Sequence, residues 1–172
     1  MTVREAEDQI RRQHFETAIA WNAQGIEILR KDGEQYQVVF SDEEIASMKG
    51  AILTHNHPRG LAFARTDMRS WGNSFSDIDL HLACAAQLSE LRVVTPRLRF
   101  WLKPPNGGWD EAYWENSVAP SYARHDDVVS HEFVAAIEAG HLSAEEAESR
   151  FFHEVCLRLS LELGLDYVRE ES

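Results

Sequence analysis

Hydrophobic and polar positions change period several times along the chain, and each change marks an element. Residues 3–12 read as a short polar helix. Three apolar runs then read as strands: Thr17–Trp21, Ile26–Arg30 and Gln35–Phe40. Breaks fall at Gly25 and at Lys31-Asp-Gly33, and the second break is a hairpin signal. Ser41-Asp-Glu-Glu44 has the capping-box pattern and predicts a short helix ending near Gly50. Ala51-Ile-Leu-Thr54 follows as a buried strand that runs directly into His55-Asn-His57-Pro58. Residues 59–75 show neither period and predict an irregular loop, with Arg59, Arg65 and Arg69 against Asp67 alone. Residues 76–90 predict a helix with Ile78, Leu82, Ala85, Ala86 and Leu88 on its apolar face. Strands over 92–95 and 99–102 complete this part, and Pro104-Pro-Asn-Gly-Gly108 breaks the pattern.

Beyond that break the chain reads as helical. Residues 109–122 are aromatic-rich, 131–138 predict a helix ended by Gly140, and Ser143-x-x-Glu146 caps another running to about Leu163. Phe151, Phe152, Val155, Leu159 and Leu163 give the last helix an apolar stripe. The expected division is a domain over 1–105 and an acidic helical appendage over 106–172, which packs on the sheet or contacts a partner.

Composition narrows the function classes. The 172 residues carry 17 basic and 29 acidic side chains, and residues 125–172 hold nine of the twelve net negative charges. Such a chain lacks the broad basic surface that neutralises phosphates, which argues against general nucleic-acid binding. No apolar run approaches the roughly 20 residues of a membrane span, and the charged start MTVREAEDQIRRQH does not resemble a signal peptide. The expectation is a soluble cytoplasmic protein. Cys84 and Cys156 alone make a disulfide framework or a cysteine-type zinc site improbable.

The chemistry concentrates at one constellation. His55 and His57 alternate along an extended chain, so both imidazoles face one side and reach one cation. Ser76-x-x-Asp79 opens the following helix and brings a carboxylate to the same place, although the same pattern is also an ordinary helix cap. Two histidines and one carboxylate with an open position for water form a usual catalytic zinc arrangement. A metal held this way lowers a bound water's pKa to roughly 7 and polarises a carbonyl.

Thr54-His-Asn-His-Pro58 with Ser76-Asp-Ile-Asp79 resembles the JAB/MPN (JAMM) metalloprotease motif, Glu … His-x-His … Ser-x-x-Asp. The His-Asn-His-Pro form is similar to that of RadC-type and phage-associated bacterial members, and the resemblance covers about residues 14–103. It implies an α+β fold of the α/β/α sandwich, cytidine-deaminase-like type, binding Zn2+ through His55, His57 and Asp79. It further implies that Ser76 helps hold the water and the oxyanion, and that an upstream Glu moves the proton. Glu16 matches that Glu best; Glu44 is the second choice and Glu27 the third. The 18 residues between His57 and Ser76 exceed the usual interval of the family, so that segment is expected to act as a substrate-gripping lid or to block the site.

The expected function is a zinc-dependent peptidase or isopeptidase acting on a peptide or protein substrate, with a ubiquitin-like conjugate among the candidates. Glu16 and Ser76 are the catalytic candidates and His55, His57 and Asp79 the metal ligands. The competing reading is a catalytically silent module of the same fold, acting through a protein partner at the C-terminal helices. A nuclease suggested by His-Asn-His fits the net charge poorly, and no membrane partner is expected.

Overall fold

In the computed structural model, which describes residues 1–171, one short strand sets up packing on two sides. Every residue of β1 (Thr17–Trp21) is buried. Ile19 and Trp21 join Ala6 and Ile10 of α1 (Val3–Ile10) on one face. Ala18 and Ala20 meet a larger apolar cluster on the other. Successive strand side chains point to opposite faces, so a strand covered on both sides needs no polar alternation.

Six strands form one mixed sheet in the order β2-β1-β3-β4-β5-β6. The others are β2 (Glu27–Asp32), β3 (Ile52–Asn56), β4 (Glu90–Val94), β5 (Leu98–Lys103) and β6 (Asp166–Glu171). β3 and β4 pair in parallel and the remaining neighbours are antiparallel. The architecture is α+β, with α2 (Asp42–Ser47) before β3 and α3 (Asp77–Ala85) in the crossover from β3 to β4. Glu7 of α1 is fully buried beneath the sheet. It accepts from Arg92 Nε at 2.6 Å, Arg99 Nε at 2.9 Å and Thr54 Oγ1 at 3.2 Å, tying α1 to β3, β4 and β5. Two guanidinium groups on one buried carboxylate supply the partners that a desolvated charge requires.

The sequence expectation fails at Gln35–Phe40, which forms no strand, and at the hairpin placed on Lys31–Gly33. The turn joining β1 and β2 lies at Asn22–Ile26, at the break expected at Gly25, and Asn22 Oδ1 there accepts from the N–H groups of Gln24 and Ile26. After β2 the chain folds back at Gly33, where a β-carbon would stand 2.2 Å from the Gln37 carbonyl oxygen. Only glycine allows so close a return. Val38 and Phe40 then pack against the core while Tyr36 and Val39 stay exposed. The alternation there belongs to an unpaired segment with one covered side.

Residues 58–75 contain two 3-10 turns, Pro58–Ala62 and Met68–Trp71. The C-terminal region starts with α4 (Glu111–Tyr113), a π-helical turn over Trp114–Val118 and α5 (Ala119–Glu138) in direct succession. The helix is thus far longer than the predicted 131–138. α6 (Ala144–Leu163) has the predicted Ser143–Glu146 capping box and ends at Gly164 in the left-handed conformation. Its Val155, Cys156 and Leu159 enter the core with Phe75 and Phe100. The chain then returns as β6 beside β5, so the segment expected to be a helical appendage also supplies an edge of the sheet. No helix among the described residues is long and apolar enough to cross a membrane.

Candidate metal centre

β3 ends with His55-Asn56 and His57 continues it in extended conformation, so the pleat sends the two imidazoles to one side and Asn56 to the other. The His55 and His57 Nε2 atoms stand 3.0 Å apart. Asp79, on the first turn of α3, places Oδ1 3.0 Å from His55 Nε2 and Oδ2 3.6 Å from His57 Nε2. Among the described residues this is the one group of three or more His, Cys, Asp or Glu side chains with converging ligand atoms, all within 4.8 Å of one another. A tetrahedral site with bonds of about 2.0–2.1 Å has edges near 3.3 Å, so these donors suit one small cation. His57 Nδ1 lies 3.1 Å from the Asn73 carbonyl oxygen. That acceptor takes the ring proton at Nδ1 and leaves Nε2 as the free lone pair, the usual outer support of a metal-binding histidine.

Asp79 performs both roles read from the sequence at once. Its Oδ2 accepts from the Ser76 N–H at 2.7 Å and from Ser76 Oγ at 2.8 Å, closing the helix cap. Its Oδ1 remains turned to His55. The Ser76 hydroxyl proton is therefore spent on Asp79. In this arrangement Ser76 orients the carboxylate, and donating to an oxyanion requires its hydroxyl to rotate away.

The charges of the cluster act on one another. Burial alone disfavours charge on His55, but Asp79 and Glu16 outweigh it and hold its pKa above the ordinary value. Burial dominates at His57, together with repulsion from His55, and pushes it down to about 4 despite Asp79. Burial works against ionised Asp79 too, yet the two histidines keep its pKa well below the usual carboxylate range.

Glu16 precedes β1, and Ala18 of that strand pairs with His55. It is 8% exposed and lines a cavity of about 510 Å3 together with His55, His57, Ser76 and Asp79. Burial raises its pKa to about 7; His55 draws it down and Asp79 pushes it up. Neither alternative glutamate reaches this cavity. Glu44 caps α2 and binds Lys31 Nζ at 2.6 Å, and Glu27 pairs with Arg30 at 2.8 Å on an edge strand.

Asn56 is the residue that sequence reasoning passed over. Its Oδ1 accepts from the Thr17 N–H at 2.7 Å and its Nδ2 donates to the Phe15 carbonyl at 2.9 Å. One buried amide therefore holds both peptide groups that flank Glu16, fixing the position of that residue relative to the histidines. The signal was present as the central letter of His-Asn-His, but its partners lie 39 and 41 positions upstream.

The segment 58–75 neither fills nor caps the cavity. Only its ends, at Pro58, Arg59, Asn73 and Ser74, line the wall. Between them Arg59 and Arg69 reach Glu148 of α6, and Trp71 accepts from Thr95 at the β4–β5 turn. The stretch Tyr36–Phe40 and Ile45 also line the cavity. Comparison with family models, with curated proteins and with solved structures finds no match for this chain.

Proposed function

We propose that the chain is a zinc-dependent peptidase or isopeptidase of the JAB/MPN type, with α1 on one face of the sheet and α3 and α6 on the other as the layers of an α/β/α sandwich. The observation that carries this reading is the convergence of His55, His57 and Asp79 on one point beside Glu16, in the wall of an open cavity. The three ligands would hold the zinc, which when bound supplies a water of pKa roughly 7 and polarises the scissile carbonyl. Glu16 takes a proton at its carboxylate and returns it to the leaving amine. Burial raises the Glu16 pKa and a bound cation beside it lowers it, so the two effects oppose each other at the group that carries the proton. Asn56 holds Glu16 at its backbone and Ser76 holds Asp79 at its carboxylate. Two free cysteines support assignment to a reducing cytoplasm.

A catalytically silent module is the second reading, and one observation favours it: the Ser76 hydroxyl is engaged by Asp79. Cleavage of ubiquitin-like isopeptide conjugates and short peptides by the zinc-loaded protein separates the two. Glu16→Gln should lower turnover by roughly 10²–10⁴ with zinc retained, while Glu44→Gln should leave it unchanged. Equal turnover in wild type and Glu16→Gln would remove Glu16 as the base, and absence of turnover across the panel would favour the silent module.

A further inference from the structure

Beside the metal centre a second cavity of about 360 Å3 opens between α5 and α6. Its floor is apolar: Phe133, Val134 and Ile137 from α5, and Ala147, Phe151 and Phe152 from α6. Val134 is 55% and Ile137 38% exposed, although both belong to a helix that packs against α6. Exposed apolar side chains gathered round a concavity mark a binding surface far better than the same residues scattered singly.

Position says what such a surface receives. Arg59, Asn73 and Phe152 line both this groove and the cavity of the metal centre, so the two concavities share a wall. Asn73 is also the residue whose carbonyl orients His57. A chain lying across the ligands therefore passes directly from the metal centre onto the groove. Charge supports a neutral occupant. Arg59 is the one arginine or lysine in either lining, and it is already bound to Glu148 at 2.7 Å, the other charged side chain of the groove. An acidic segment finds no unpaired arginine or lysine in the groove.

We propose that the α5–α6 groove is the specificity pocket of the site, taking a large aliphatic or aromatic side chain from an extended polypeptide substrate close to its scissile bond. The inference rests on the peptidase reading for the word substrate, and its test does not require turnover. The groove is built mainly by α5 and α6, and Tyr36, Val38, Val39 and Phe40 add apolar lining to the cavity of the metal centre.

The probes are two fluorescein-labelled ten-residue peptides of Gly, Ser and Lys, one with Leu at the two central positions and one with Ser there. Binding is read by fluorescence anisotropy on the full-length Glu16→Gln protein, so that cleavage does not intervene. Burying one leucine predicts a preference of about tenfold or more for the Leu peptide. Ile137→Glu, on an exposed helical position that tolerates a polar side chain, should reduce the Leu peptide to the level of the Ser peptide. Val128→Glu, exposed on the same helix but outside the groove, should leave the preference intact. Equal binding of the two peptides, or a preference that survives Ile137→Glu, would overturn the proposal. So would self-association of the wild type that Ile137→Glu abolishes without change in peptide binding, since the groove would then be a contact between copies. A Leu preference without cleavage of any substrate by wild type would uphold the groove and remove the peptidase; cleavage without a Leu preference would do the reverse.

Discussion

Glu16→Gln should make the metal-free protein more stable at pH 8 and leave it nearly unchanged near pH 4. Glu16 is 8% exposed, and its side chain makes no hydrogen bond among the described residues. Burial therefore raises its pKa from 4.5 to about 7. A carboxyl with a raised folded-state pKa binds more protons folded than unfolded between those two values. Its favourable contribution is complete below 4.5 and is lost as pH rises through 7. The difference corresponds to roughly 3 kcal/mol by pH 8. Glutamine stays neutral throughout and keeps the shape, so the variant escapes this penalty. For a chain of this size the gain amounts to about 6–12 °C in Tm. Thermal unfolding in the presence of a chelator, at pH 4.5 and pH 8, measures it directly. Saturating zinc should narrow the gap, because a nearby cation favours the ionised carboxylate. A variant no more stable than wild type at pH 8, or one shifted equally at both pH values, would refute the reasoning.

Two further outcomes follow from buried groups. Asn56→Ala leaves the Thr17 N–H and the Phe15 carbonyl without their partner; it should cost about 2–4 kcal/mol in denaturant unfolding and reduce turnover more than zinc affinity, and an unchanged midpoint would contradict it. Glu7→Ala removes the buried carboxylate that Arg92 and Arg99 share and leaves each with one other partner, Glu90 and Asp8; it should cost about 3 kcal/mol, and a loss below about 1 kcal/mol would show that Glu90 and Asp8 suffice.

The parts legible in the sequence are those whose causes are local. Capping boxes at Ser41, Ser76 and Ser143 each bond within three residues, and all three open helices where they were expected. The apolar run before His55 is β3, and the two histidines share a face by the period of the strand alone. Gln35–Phe40 was misread because its alternation matches a strand, while the return at Gly33 depends on a contact that no pattern expresses. β6 escaped notice for the opposite reason. Asp166-Tyr-Val-Arg-Glu-Glu171 is mostly charged, and it is a strand because β5 offers a free edge and because Tyr167 packs on the core against Phe100. The Glu7–Arg92–Arg99 network and the Asn56 clamp were equally hidden, since their partners are separated by 39 to 92 positions.

Calorimetric titration of zinc into the chelator-treated protein tests the central claim most directly. The account predicts about one ion per chain for wild type and for Glu16→Gln, and no saturable binding in the same range for His57→Ala or Asp79→Asn. Zinc binding of wild-type strength in either ligand variant would contradict it.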